Sequence, residues 1–211
     1  MAAPFYKFML VTHRGSCPLA EYLVFIEQCV SAGVTSVQLR EKNTSPAFLF
    51  EFASKLKILL DHHSIPLIIN DDLELALAVD AQGLHLGQTD GSPQVARQCL
   101  GPDKFLGLSI ETEDDLQRAN QSVVDYVAAS AVFPTQHKKN IRTTWGLDGL
   151  HSLSLRSIHP IIGIGGIDQH NVNEVMAAGA KGIAVIGALH KAENPALMAA
   201  TLRQLMEGSE I

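Results

Sequence analysis

Short apolar runs and amphipathic stretches alternate along this chain. Lys7 to Thr12, Ser36 to Leu39 and Leu67 to Ile69 are apolar, partly β-branched runs stopped by polar residues, and they predict buried strands. Gly83 to Gly87, Phe105 to Ser109, Tyr126 to Ala129, Pro160 to Ile164 and Gly182 to Val185 repeat that character. Between them apolar residues recur at helical spacing. Leu19 to Ala32 is closed by Gly33, and Phe48, Leu49, Phe52, Leu56, Leu59 and Leu60 form a face after the helix-starting Asn43 to Pro46. Leu73 to Val79, Pro93 to Leu100, Thr112 to Ala119 with its acidic first turn, Leu147 to Leu155, Asn171 to Ala178 and Pro195 to Met206 complete the helical set.

Eight strands in strict alternation with helices predict an α/β protein of the (β/α)8 barrel type (TIM barrel), with an open doubly wound sheet as the alternative. The 211 residues suit a single barrel domain spanning 1–211, without linker, tandem repeat or low-complexity segment. Apolar runs near Ile161 and Ile183 are broken by glycines and fall short of the roughly 18 residues of a membrane span. The opening MAAPFYKFML lacks the extended apolar core of a secretory signal, so a cytoplasmic protein with no membrane partner is expected. Cys17, Cys29 and Cys99 lack zinc or dithiol spacing and read as reduced thiols. A formal charge of −6 argues against a general nucleic-acid binder, so any bound anion must be held locally.

The chemistry collects where strands stop. Pro66 to Asp90 reads as a βαβ unit with acid at both strand ends, which brings Asp71 and Asp90 to the same edge of a parallel sheet. Two like charges held close call for a cation; the plainer alternative is that Asp71 or Asp72 caps the next helix and Asp90 makes a turn with Gly91. In Gln38-Leu39-Arg40-Glu41-Lys42, period-two alternation turns Gln38, Arg40 and Lys42 to one side. A solvated charged loop paired through Glu41 is the alternative there. Asn70, His85 and Ser109 add polar groups at other strand ends, and Gly165-Gly166 and Ile186-Gly187-Ala188 offer bare backbone where barrels commonly hold phosphate. The long loop Phe133 to Lys139 carries Thr135, His137 and Lys138 and is long enough for a lid. Arg40, Lys42, Lys138 and a metal between Asp71 and Asp90 exceed the needs of one phosphate, which suggests a diphosphate leaving group beside a separate monophosphate. Carboxylates plus phosphate oxygens are usual Mg²⁺ ligands, whereas His85 with Asp90 makes a poor zinc pair.

QLREK at 38–42, IIND at 68–71, GLHLGQTD at 83–90, Ser109, FPTQHKK at 133–139 and GIGGI at 163–167 closely resemble the thiamine-phosphate synthase family, in the same order over nearly the whole chain. The resemblance implies a cytoplasmic transferase that joins a hydroxymethylpyrimidine diphosphate to a thiazole phosphate by a dissociative route, releasing diphosphate. It implies that Gln38, Arg40 and His85 surround the pyrimidine, that Arg40, Lys42, Asn70, Ser109 and Lys138 hold diphosphate, and that Asp71 and Asp90 hold Mg²⁺. Arg40, Lys42 and Lys138 would act catalytically by stabilising charge. Thr135, His137, Gly166, Ile186 and Gly187 would meet the thiazole phosphate, and Gln136 would also bind substrate. The implied partners are these two small molecules, with homo-oligomer formation an open alternative.

Five positions depart from the family pattern: His137 stands for Thr, Gly187 for Ser, Ser130-Ala131 for Gly-Pro, and His13 for the Asp that commonly follows the first-strand Thr. A glycine still donates its backbone N–H, so the change at Gly187 weakens that end without removing it. Two rivals are a thiazole tautomerase-like isomerase on the same barrel, which relies on a His shortly after strand five where this chain reads Ser109-Ile110-Glu111-Thr112, and a non-catalytic barrel that only binds a phosphate ligand.

Overall fold

The computed structural model describes residues 4–138 and 142–208. Eight parallel strands pair in sequence order, and β8 returns to β1 to close a barrel. In chain order the first half comprises β1 (Phe8–Val11), α1 (Leu19–Ser31), β2 (Ser36–Leu39), α2 (Pro46–His62), β3 (Leu67–Asn70), α3 (Leu73–Ala78), β4 (Gly83–Leu86) and α4 (Pro93–Leu100). The second half comprises β5 (Phe105–Ile110), α5 (Glu113–Ala119), β6 (Tyr126–Ser130), α6 (Gly146–Arg156), β7 (Ile161–Ile164), α7 (Val172–Ala177), β8 (Gly182–Val185), α8 (Gly187–His190) and α9 (Pro195–Glu207). The expected (β/α)8 barrel is therefore the fold, and the open sheet is excluded by the Met9–Ala184 and Leu10–Val185 pairing that joins its ends. Among the described residues no helix is long and apolar enough to cross a membrane.

Strand alternation sorts side chains into two cores. Phe8, Leu10, Val37 and Leu39 point outward into the layer between barrel and helices, while Met9, Val11, Ile68, Tyr126, Ala128, Ile162 and Ala184 fill the interior. Glycine at 107 makes room for the largest of these, because a Cβ there would run into the Tyr126 ring. Phe5 closes the floor, stacked on Phe105 with ring centroids 3.7 Å apart and set edge-on to Tyr126 at 5.6 Å. The apolar plug fills the amino-end half of the barrel and leaves the carboxyl-end mouth to polar side chains.

Local capping decides which polar residues remain for that mouth. Asp72 accepts the Leu75 N–H at 2.9 Å and starts α3, so the capping role falls to Asp72 and not to Asp71. Thr112 and Asp115 form a capping box at α5, a device that contributes about 1 kcal/mol. The buried Asp115 carboxylate accepts the N–H groups of both Glu111 and Thr112 at 2.9 Å, fixing Glu111 where β5 ends.

Candidate active site

The carboxyl ends of the strands surround one cavity of about 1610 Å³, and every site residue expected from the sequence lines it. That volume exceeds the roughly 300–1,000 Å³ usual for a single small ligand, leaving room for two.

On one side, over β2, β3 and β4, acids meet permanent cations. Asp71 stands in the left-handed region (φ 67), which Asp tolerates better than most residues, and its N–H donates to the His85 carbonyl at 2.8 Å. Burial and the hydrogen-bonding closeness of Asp90 push the Asp71 carboxyl up to about 6, against the opposing pull of Lys42 and Arg40. The two aspartates thus share one rim with the two cations. Asp90 also closes a turn, with Gly87 and not with Gly91: its Oδ2 accepts the Gly87 N–H at 2.9 Å. Glu41 takes a different partner from the one in the solvated-loop alternative: it accepts the Arg14 N–H at 3.0 Å and ties the loop after β1 to the loop after β2. The Arg40 N–H donates to Thr12 Oγ1 at 2.9 Å, so the cation leaves a braced backbone.

Lower in the barrel a hydrogen-bonded chain spans the interior. His85 Nδ1 lies 2.9 Å from the Tyr126 hydroxyl and its Nε2 lies 2.9 Å from Ser109 Oγ. Burial pulls the His85 pKa down to about 4, so the ring is neutral near pH 7. Both nitrogens are occupied by protein hydroxyls, as expected of a hydrogen-bonding histidine. Gln38, also buried, places its amide 3.4 Å from Met9 Sδ. Register explains why these residues meet: Gln38 pairs with Ile68, Asn70 with His85, and Ser109 with Ala128.

Lys138 Nζ lies 2.5 Å from Glu111 Oε1 and 3.2 Å from Ser130 Oγ. Its loop is anchored at the base, where Phe133 N–H donates to Gly165 O at 3.0 Å and Trp145 N–H to Ala131 O at 2.9 Å. Lys139, the last residue of the FPTQHKK stretch, lies outside the described residues. Thr135 Oγ1 accepts the His137 N–H at 3.3 Å and shapes the turn, and Gln136 beside it is exposed. Gly165 (φ 102) and Gly166 (φ 65) let the loop after β7 nest under this segment: a Cβ at Gly166 would come within 2.7 Å of Phe133 Cβ. Crowding therefore requires these glycines whether or not their N–H groups also meet an anion.

Several groups in or behind the site carry no local signal in the sequence. Glu111, Tyr126, Tyr22 and His190 acquire their positions from partners far away in the chain. Tyr22 and His190, 2.6 Å apart, are separated by 168 residues. Only the T-x-x-D box after strand five could have flagged Glu111, by fixing its backbone.

A closed eight-stranded barrel with polar side chains converging on its carboxyl-end mouth defines an enzyme of the (β/α)8 class, one whose site is dressed for anionic ligands. Residues 8–189 match the family model described as thiamine monophosphate synthase. A protein of Chlamydia caviae named thiamine-phosphate synthase is 45% identical over 207 residues, covering 98% of each chain. One from Vibrio parahaemolyticus with the same name is 42% identical over 203 residues, covering 96% of this chain and 98% of its own. Among solved structures, thiamine phosphate pyrophosphorylase from Pyrococcus furiosus superposes with a TM-score of 0.88 at 30% identity, covering 98% of both chains. The chain belongs to the thiamine monophosphate synthase family of transferases.

Proposed function

We propose that the chain condenses a hydroxymethylpyrimidine diphosphate with a thiazole phosphate, giving thiamine phosphate and diphosphate, with Mg²⁺ as the required ion. One observation carries this reading: an acid pair, permanent cations and a glycine-lined end share one cavity large enough for two substrates. The donor set suits the ion. Two neighbouring carboxylates without a third acidic, imidazole or thiol partner among the described residues match a hard cation that draws its other ligands from water and phosphate oxygens. Burial first, and then the neighbouring Asp90, raise the Asp71 carboxyl, and a cation held between the two acids would oppose both effects.

In this reading Asp71 and Asp90 hold Mg²⁺, which supplies charge neutralisation to the diphosphate. Arg40, Lys42 and Asn70 bind the diphosphate oxygens from the β2–β3 side, with Ser109 from β5. Lys138 exchanges Glu111 for the departing group. Gln38 and His85 orient the pyrimidine above the aromatic floor, and the neutral His85 ring leaves the electron-rich heterocycle unprotonated. Thr135, Gln136, His137, Gly166, Ile186 and Gly187 place the thiazole so that its nitrogen faces the carbon the diphosphate leaves. The protein's part is charge stabilisation and positioning, and no covalent nucleophile is needed. Incubating the purified chain with both substrates and Mg²⁺ tests the proposal: thiamine phosphate and diphosphate should form in equal amounts and stop on chelation. Absence of both products at saturating Mg²⁺ would refute it.

A further inference from the structure

The rim between β8 and the loop after β6 holds a group of titratable side chains whose chemistry the condensation alone does not explain. His13 leaves β1, His137 sits on the β6–α6 loop, and His190 and Lys191 end α8. The His13 and His137 ring centroids are 4.9 Å apart, and those of His13 and His190 are 6.3 Å apart. Gly187 is what admits His137. A methyl group added there would lie 3.1 Å from His137 Nε2 and 3.9 Å from Lys191 Cε, so the imidazole occupies the space that a side chain at 187 would otherwise reach.

His190 is already committed. Its Nδ1–H donates to the Ile186 carbonyl at 2.7 Å, and its Nε2 accepts from the Tyr22 hydroxyl at 2.6 Å. The same hydroxyl accepts the His13 N–H at 2.8 Å. Burial holds His190 below and Tyr22 above their ordinary pKa values, so both stay neutral and the chain of bonds persists. This brace links the loop after β1 to the turn at 186–190 and fixes the backbones that present His13 and Gly187. The rings of His13 and His137, by contrast, are turned into the cavity beside Lys191.

We propose that His13 and His137, together with Lys191, form a proton-linked receptor for a phosphate monoester, in which an imidazole takes up a proton as the dianion binds. The inference rests on the reading of this end as the thiazole-phosphate pocket and adds how the phosphate is read: by imidazolium N–H groups in place of a hydroxyl at 187. The charged and titratable groups acting on His137 are His13 from the β1 loop, Lys191 after α8 and Arg40 at the end of β2. Desolvation and these three push its pKa below the ordinary value, so the ring is neutral before the ligand arrives. A dianion placed among them reverses that balance. Phosphate monoesters are already dianionic above about pH 7, so further pH dependence there belongs to the protein.

Calorimetric titration of thiamine phosphate into the full chain, in two buffers of different ionisation enthalpy, counts the protons taken up. Uptake approaching one proton per ligand is expected, with affinity falling about tenfold from pH 7 to pH 8. In His137→Asn that fall should shrink to less than about twofold, and inorganic phosphate should shift the imidazole nitrogen resonances of His13 and His137 in the unmodified chain. Equal affinity for thiamine phosphate at both pH values, without proton uptake, would overturn the inference while leaving the synthase reading intact. Proton-linked phosphate binding in a chain that forms no thiamine phosphate would do the reverse, removing the synthase reading and leaving the imidazole receptor in place.

Discussion

The two halves of the mouth meet anionic ligands with different materials. Over β2, β3 and β4, the cations Arg40 and Lys42 face a carboxylate pair in which burial and the nearness of Asp90 raise Asp71 to about 6. Across the cavity, at the ends of β7, β8 and β1, glycine backbone and imidazole rings take their place, with His137 fitted against Gly187. A half built from fixed charges keeps its electrostatic character through the neutral pH range. In the half built around imidazoles, the rings beside Lys191 supply charge only when a ligand or a proton brings it out. On the proposed reading, the same barrel rim would hold a permanently polarised diphosphate end beside a conditional monophosphate end.

Four measurements would break or sharpen that contrast, beginning with the largest effect. Asp71→Asn or Asp90→Asn should lower thiamine phosphate formation by on the order of a thousandfold, with thermal unfolding little changed, since Asn can still accept the Gly87 N–H at position 90. Turnover of Asp90→Asn matching the unmodified chain at limiting Mg²⁺ would empty the acidic half of its role. Next comes the shared floor at His85. Its pKa is depressed to about 4 in the folded chain against about 6.5 unfolded, so its contribution is complete above pH 6.5 and is lost as pH falls toward 4. That loss amounts to about 3 kcal/mol and should be missing from urea-unfolding profiles of His85→Gln. Comparison with the variant is essential because Asp71, raised to about 6, has the opposite slope between about pH 4 and 6.

Lys138→Ala should slow diphosphate release by roughly tenfold to a hundredfold in single-turnover experiments, with KM for the thiazole phosphate nearly unchanged. Equal damage to both substrates would move Lys138 out of the diphosphate half. The smallest effect belongs to Gly187→Ala, whose methyl at 3.1 Å displaces the His137 ring by a few tenths of an ångström. A severalfold rise in KM for the thiazole phosphate, without a change in single-turnover diphosphate release, would confirm that the halves act separately.

The architecture was legible because both of its periods are local. Ser36–Leu39, Gly182–Val185 and Pro93–Leu100 have the bounds that apolar runs and their stop residues indicate. The four-residue helix Gly187–His190 was missed, since one turn is too short to display a helical face. Residues at strand ends were legible for a related reason: once the barrel is recognised, its topology delivers Gln38, Arg40, Asn70, Asp71 and His85 to one mouth. What escaped were the long-range partnerships. Lys138 reads from sequence as a free cation, yet Glu111, 27 residues away, holds it. Tyr126 looks like any buried strand aromatic until Gly107 opens the space that lets its hydroxyl reach His85. Such pairings follow from packing and register in three dimensions, and no spacing along the chain encodes them.

The aromatic seal formed by Phe5 and Phe105 makes the vessel blind at one end. Among the described residues, Gln38 and His85 lie in the same cavity as His137 and Lys138, which opens between the strand ends. On the proposed reading, a ligand seated near the rim would therefore stand between a deeper one and solvent.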